Sequence, residues 1–384
     1  MAQNVDVVRQ IYNTLGVAVS ASPGTGYFFA SGNTNPVSGA NLLTFLPRVQ
    51  SVSLAANIPR QDINQYGQLD RLDNLIVAAP TFTANITYYP VDGFVESVLG
   101  FAASGQQSFI SGLIDGTQTE KNYFFPVAPE GVDLIGLQSS NGSNVKIVAL
   151  GNGVISNYNL NLAVGQVPTS SITVEGTNQQ SYTGSVLQLS PAIDPNTALP
   201  VVGPLFTLPT MTGYTGASIP AALRPGDIVL SFPRVDGLGD YTSGIGQLRP
   251  QSVSLSVPLA LDPINQLGNP YPVAKKIRFP VDCTLSIDAL QGDITTGNVA
   301  NLFCSDTPSN FVLTLNDPSC TRTGPAAITI WFNQAKLVSR DYSSSIGQNS
   351  TVRLTYTNQI QGISSNYFGR GIVWSGSYGQ TIPL

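Results

Sequence analysis

Short runs in which every second residue is apolar recur along this chain. In "SVSLAANI" (Ser51 to Ile58), Val52 and Leu54 fall on one side and Ser51 and Ser53 on the other, which is the period-two signature of a half-buried strand. "SVSLSVP" repeats it from Ser252, with Val253, Leu255 and Val257 opposite Ser252, Ser254 and Ser256. "TFTANITYYP" and "VDCTLSIDAL" alternate in the same way, each led by a proline, Pro80 or Pro280. The 37 glycines and 27 prolines punctuate the whole chain, leaving runs of strand length rich in Val, Ile, Thr, Tyr and Ser. An all-β sandwich or barrel is therefore expected over an α/β fold. Helical spacing is confined to three places. Residues 93–116 predict one or two short amphipathic helices through Val95, Val98 and Leu99, then Phe109, Ile110, Leu113 and Ile114. "TTGNVANLFC" predicts a shorter one through Val299, Leu302 and Phe303. Val5, Val8, Tyr12 and Leu15, between Asn4 and Gly16, have the spacing of a docked helix or of an arm onto a neighbour.

The pattern is duplicated. "QSVSL" occurs at Gln50 and at Gln251, "INQYG" at Ile63 is followed by "INQLG" at Ile264, and both displacements are 201 residues. After each of these strands the residues predict a helical turn: Asp262 can cap it, Pro263 suits its first position and Gly268 its left-handed stop, with Gln61, Asp62 and Gly67 as counterparts. A second pair of blocks, "VISNYNLNLAVGQVPTSSITVEG" from Val154 and "LVSRDYSSSIGQNSTVRLTYTN" from Leu337, aligns Gly165 with Gly347, a displacement of 182. The first copy thus carries about 19 more residues between its blocks, and 93–116 is the place for them. Two tandem units follow, 1–185 with its N-terminal arm and 224–384, joined by the Pro-rich stretch 186–223. Its apolar Leu, Val and Phe call for an ordered, extended linker lying against something.

Composition sharpens this picture. Only 10% of residues are charged, against roughly 25% in an ordinary soluble domain, so extensive assembly is expected, the alternative being a secreted β-protein with an uncharged polar surface. The net charge is −5, which denies the chain the broad basic face that sequence-independent DNA binding needs. The halves differ, residues 1–192 holding 11 acids and 6 bases and residues 193–384 holding 11 of each. The cysteines Cys283, Cys304 and Cys320 lack metal-ligand spacing and read as reduced thiols of a cytoplasmic product, with a Cys304–Cys320 bridge as the alternative. No signal-like apolar segment opens the chain, and no run reaches the roughly 18 to 20 apolar residues of a membrane span.

Candidate chemistry is sparse. With no histidine, imidazole mechanisms are excluded. No P-loop or GxSxG elbow is present, and "GLGDYTSG" at 237–244 reads as a turn. Asp70 with Asp73, or Glu130 with Asp133, could form a carboxylate pair, but loop acids of this kind read as solvated surface. No enzymatic activity and no cofactor are expected. The basic cluster Lys275, Lys276 and Arg278 is either a charged strand edge that blocks pairing or a contact to acids of an adjacent subunit, with Asp62, Asp70 and Asp73 as candidates.

Taken in order, "PRQDINQYG" (Pro59 to Gly67), a Pro-led strand, then "SNYNLNLAVGQ" (Ser156 to Gln166) and "SITVEG" (Ser171 to Gly176) resemble the tail tube (major tail) proteins of long-tailed bacteriophages, and the resemblance spans most of each copy. Copy two departs from the pattern at "SSSIGQNSTVRLTYTN", and the Pro-rich linker has no counterpart in a single-domain member. The resemblance implies β-sandwich domains, each with a short helix, whose sheets combine across subunits into a β-barrel channel. With two domains per chain it implies homotrimers forming pseudo-hexameric rings that stack into a tube for DNA ejection. It further implies a place in the virion tail after assembly in the host cytoplasm, and contact with terminator, tape-measure and baseplate proteins. DNA would pass without specific binding, and no membrane would be involved. Ser51, Ser53, Ser252, Ser254 and Ser256 are the candidate channel-lining residues. The alternatives are a trimeric baseplate hub, a double jelly-roll capsid protein, or an adhesin using Tyr367, Phe368, Trp374 and Tyr378 as exposed aromatics.

Overall fold

The computed structural model describes residues 12–15, 17–20, 43–114, 120–129, 146–183, 186–187, 191–194, 199–200, 206–207, 222–231, 248–291, 308–318, 325–347, 349–360 and 371–377. In the first half the strands are β1 (Tyr12–Leu15), β2 (Val17–Ser20), β3 (Leu43–Leu46), β4 (Val49–Asn57), β5 (Arg60–Ile63), β6 (Asp73–Ile76), β7 (Thr81–Tyr88), β8 (Ser104–Ser108), β9 (Lys121–Pro129), β10 (Lys146–Ala163), β11 (Thr169–Gly176) and β12 (Asn178–Thr183). Four two-residue strands follow, β13 (Val186–Leu187), β14 (Ile193–Asp194), β15 (Leu199–Pro200) and β16 (Phe206–Thr207). The remainder are β17 (Ile228–Ser231), β18 (Leu248–Pro258), β19 (Leu261–Ile264), β20 (Ala274–Ile277), β21 (Val281–Gln291), β22 (Ser309–Asn316), β23 (Ala326–Ser343), β24 (Thr351–Ile360) and β25 (Gly371–Gly376). Two short helices, Phe94–Leu99 and Ser111–Ile114, fall where the apolar spacing places them, with β8 between.

The central feature is one antiparallel sheet in the order β4-β7-β11-β10-β18-β21-β24-β23. Its two hairpins β10–β11 and β23–β24 turn at Gly165 and Gly347, with φ of 78° and 80°. A Cβ at either would meet nothing, so glycine is used there for the left-handed backbone and not for space. β10 and β23 are 18 residues long. Their C-terminal parts belong to this sheet, while their N-terminal parts build two outer sheets: β3-β2-β9-β10-β12, with β1 also on β9, and β17-β22-β23-β25-β8. The pairings among the described residues form an open, branched network in which no ring of strands closes on itself.

Two local expectations are corrected. The segments after β4 and β18 are β-hairpins, β5–β6 and β19–β20, and not helical turns. The chain leaves each strand still extended, and Pro263 is tolerated because a two-stranded hairpin leaves its amide position at an edge; Gly67 and Gly268 nonetheless take the left-handed conformation, φ 89° and 85°. The N-terminal helical spacing also fails where it is described, because Tyr12–Leu15 is a strand on β9. A helix of that length is marginal in isolation, whereas the ladder satisfies the backbone directly. Val5 and Val8, the "TTGNVANLFC" helix, Cys304, Cys320, Glu130, Asp133 and residues 237–244 lie outside the described residues.

Of the linker, Ala192 and Ile193 are buried, and its short strands pair as β13–β16 and β14–β15. It lies so close to β10 that a Cβ on Gly151 would meet the Pro191 carbonyl. The Ile193 amide donates to Asn152 Oδ1 at 2.8 Å, and Asn178 Nδ2 donates to the Pro191 oxygen at 2.8 Å.

Buried residues of both halves make one continuous apolar cluster. Where the halves meet, Trp374 of β25 stacks on Phe109 (5.1 Å between centroids) and meets Tyr158 edge-on (5.8 Å), while Phe101 stacks on Phe109 at 4.4 Å. β8, from the first half, completes this contact by pairing with β25. Trp374 is thus core, and unavailable as an exposed binding aromatic. Beside the cluster lies Glu96, buried, with Oε1 accepting from Tyr88 (3.0 Å) and Tyr158 (3.5 Å) hydroxyls, and with Oε2 lacking a hydrogen-bond partner among the described residues. Burial raises its pKa to about 7. Because the folded value lies above the ordinary one of 4.5, the folded state holds the proton more tightly, and stability falls as pH rises from about 4.5 through 7. Glu96→Gln is expected to stabilise the protein by on the order of 3 kcal/mol at pH 8 and by little at pH 4, as read from denaturant unfolding at the two pH values. A pH-independent difference would contradict the assignment.

Candidate functional site

The eight-stranded sheet has two chemically opposite faces. One is apolar: Ala84, Ile86, Val174, Leu160, Leu255 and Leu354 are among the buried residues on it, and each fully buried Leu contributes roughly 1.5–3 kcal/mol. The other is built from hydroxyls and amides. In register it carries one row of Ser53, Asn85, Thr173 and Asn157 and another of Asn161, Ser254, Ser286, Thr355 and Ser339, with similar polar positions above and below. The candidate residues Ser51, Ser53, Ser252, Ser254 and Ser256 all lie on this face, exposed or half-buried. Its polar groups bond partly to one another: Thr173 Oγ1 donates to Asn85 Oδ1 at 2.8 Å, and Asn85 Nδ2 to Ser53 Oγ at 3.4 Å. Its charges are few, Glu175, Asp282, Asp288 and Asp341 against Arg249, Lys336 and Arg353. The face is therefore close to neutral and slightly acidic.

Sequence patterning found the Ser faces of β4 and β18 but not the whole surface. Alternation was visible in β7, β11, β21 and β24 taken singly, yet only the register shows that their polar sides align.

The middle joint, β10–β18, is a seven-residue ladder from Asn157↔Pro258 to Ala163↔Ser252, with Leu160 opposite Leu255. Both leucines are almost wholly buried, at 1% and 2% exposure. The ends of the sheet differ. Among the described residues no strand pairs with the outer side of β4 or of the C-terminal part of β23. Leu54, which the 201-residue offset matches to Leu255, is 36% exposed, and Tyr342, which the 182-residue offset matches to Leu160, is 48% exposed. Among the described residues nothing covers these apolar positions.

The charged candidates sit on the hairpins at one end of the sheet. Asp62 accepts from Arg71 Nη1 at 3.1 Å and from Asn74 Nδ2; Asn74 first, and then Arg71, hold its carboxyl below the usual range. Asp70 accepts the Arg71 amide at 2.9 Å, and Asp73 the Asn74 amide at 2.7 Å. On the other hairpin Arg278 pairs with Asp262 at 3.7 Å, and Lys276 is exposed. Lys275 turns inward, donating to the Glu175 carbonyl at 3.3 Å, and burial lowers its pKa despite nearby Glu175 and Glu120. Within the chain, then, the two clusters meet local partners and do not touch each other. A groove of about 730 Å³ separates the hairpins, lined by Ile76, Pro80, Glu175, Pro263, Tyr271 and Lys275. Tyr66, Leu69 and Leu267 project fully exposed near the hairpin tips, and Val164 and Ile346 are exposed at the turns of the opposite end.

Among the described residues no acid or cysteine cluster could hold a metal ion, and no helix is long and apolar enough to cross a membrane. Cys283 is a buried free thiol whose pKa burial pushes up.

No family model matches the chain, and no curated protein matches it. Among solved structures it is similar to a chain of the six-fold symmetrised cryo-EM structure of the anti-feeding prophage baseplate, with a TM-score of 0.22 and 13% identity over 39% of this chain and 92% of that one. A likeness of that degree assigns no function.

The asymmetry between joint and edges has a measurable consequence. Leu255→Ser is expected to cost roughly 3 kcal/mol in the isolated chain, and Leu54→Ser less than about 0.5 kcal/mol, by chemical denaturation under dilute conditions. Equal losses would show that β4 is already covered.

Proposed function

We propose that the protein is a structural subunit of a phage tail tube. Three copies join edge to edge into a pseudo-hexameric ring, and rings stack into a conduit for DNA. The observation that carries this reading is the fit of the sheet's two ends to its own middle. β10 and β23 occupy matching places in the order of strands, as do β18 and β4, so the ladder that joins β10 to β18 within a chain is a template for joining β23 to β4 of the next. Applying the same offsets puts Tyr342 opposite Leu54, Arg340 opposite Ala56 and Ser343 opposite Ser53, so large residues meet small or apolar ones. Closing the edges also removes the unpaired strands that a chain so poor in charge leaves unguarded.

Three copies of the eight-stranded sheet make a barrel of twenty-four strands. Barrels of sixteen or more strands are too wide for side chains to fill, so the interior is a channel. The outer sheets cover the apolar face, which leaves the hydroxyl face to line that channel, Ser51, Ser53, Ser252, Ser254 and Ser256 included. A near-neutral wall of short polar groups offers a phosphate backbone little to hold. Exposed apolar residues at both ends of the wall support head-to-tail stacking, which continues indefinitely because the two contacting surfaces differ. The acids Asp62, Asp70 and Asp73 and the bases Lys275, Lys276 and Arg278 are placed at one end, where they can meet a neighbouring subunit. The role is one of assembly with itself and with other tail proteins (terminator, tape measure and baseplate) in the virion, after synthesis in the host cytoplasm. It requires neither catalysis nor a cofactor.

The register provides the test. In a Ser53→Cys/Ser343→Cys variant, oxidation or a short bis-maleimide is expected to give covalent dimers and trimers, with the series ending at three chains; each single variant should give at most dimers in low yield. Absence of crosslinks in assembled material, or a series running past three, would contradict the ring.

A further inference from the structure

Among the described residues the hydroxyl face carries a two-pronged ion pair. Arg353 on β24 stands directly opposite Asp288 on β21. Its Nε donates to Oδ1 at 2.6 Å and its Nη2 to Oδ2 at 3.0 Å, and the Ser252 hydroxyl donates to Oδ2 at 2.8 Å. Neither side chain is buried, the guanidinium being 60% and the carboxylate 36% exposed. An exposed pair of this kind contributes little to stability, so stability does not explain its presence on a face made mostly of hydroxyls and amides and poor in charge.

The other half of the chain shows what the position can hold. The offsets of 201 and 182 match Asp288 to Thr87 and Arg353 to Ser171, and Thr87 and Ser171 also stand directly opposite each other, on β7 and β11. Ser252 is matched by Ser51. One half thus places two hydroxyls where the other places an acid with a base. Each pair of matched positions sums to zero charge, and in the second half Asp341, directly opposite Arg353 on β23, adds one further acid beside the guanidinium. The chemistry gives this a specific meaning. A guanidinium presents its donors as a planar fork that takes a carboxylate or a phosphate in the same two-pronged way. Asp288 occupies the prongs that a phosphate would use.

We infer that Asp288 is a mask: it keeps Arg353 from capturing the phosphate backbone of a nucleic acid moving along the hydroxyl face. The inference rests on the proposal that this face lines a DNA channel. A ring of three chains brings three such arginines to the wall, and stacking repeats them along its length. Unmasked, they would form a ladder of anchors, each gripping the strand it should release. Masked, they add no net positive charge to the wall, as the Thr87 and Ser171 pair adds none.

The test exchanges one half's solution for the other's. Binding of a short fluorescent duplex DNA is measured at low and moderate salt for the wild type and for Asp288→Thr, Arg353→Ser and the double variant. Asp288→Asn serves as a second unmasking variant that keeps the side chain's size. Asp288→Thr and Asp288→Asn are expected to bind on the order of tenfold more tightly than wild type at low salt, with a steeper salt dependence. The double variant, which rebuilds the hydroxyl pair, should return to wild-type behaviour, and Arg353→Ser should show no gain. Wild-type affinity in both unmasked variants, or a gain that persists in the double variant, would overturn the mask. Unmasking is a property of each chain, so the binding gain is read on subunits and rings alike, while electron microscopy of the same samples reports ring formation. A gain without hollow rings would leave the mask standing and reject the channel, whereas rings without a gain would do the reverse.

Discussion

The pairing of β10 with β18 is the contact on which the rest of the molecule depends. It makes one sheet from two similar sets of strands. It also fixes a single polar face and a single apolar face across all eight strands, since a slip of one residue would reverse every side chain of the second set. The aromatic contact of Trp374 with Phe109 and Tyr158, and the crossing of β8 onto β25, stand behind the same joint and hold it from the outer side. Backbone ladder, apolar packing and a cross-brace therefore act at one place, and among the described residues no strand pairs with either outer edge of the sheet.

This contrast explains why a chain with so few charges carries its apolar exposure where it does. Leu54 and Tyr342 are patterned like core residues, yet nothing among the described residues covers them. Local patterning and solvation disagree at those edges, and in a protein whose sequence and structure are otherwise consistent such disagreement marks function. The covered counterparts, Leu160 and Leu255, show what the pattern requires: an antiparallel neighbour in a defined register.

Much of the fold was legible in the sequence because strand alternation and turn glycines are local signals. The Ser and Val alternation of β18, the proline entries to β7 and β21, the left-handed Gly67 and Gly268, and the two helices between Phe94 and Ile114 were all readable from neighbouring residues. The hairpins after β4 and β18 were misread because Asp, Pro and Gly at those spacings serve a helical turn and an extended hairpin equally well. Only the pairing with the following strand, β6 or β20, decides between them. Tyr12–Leu15 was misread because a strand position on β9 is a tertiary fact. Of the candidate site, the serines were visible and their continuity into one face was not, since register between distant strands leaves no mark in sequence spacing. The Asp288–Arg353 pair was invisible for the same reason: the two residues are 65 positions apart, and only the β21–β24 ladder makes them neighbours.

End-on electron microscopy of the purified, assembled protein tests the central claim most directly, because it asks whether the open sheet closes with copies of itself. The account predicts hollow rings of threefold symmetry with six similar lobes and a continuous inner wall. Solid trimers, shells, or particles that remain single at high concentration would contradict it.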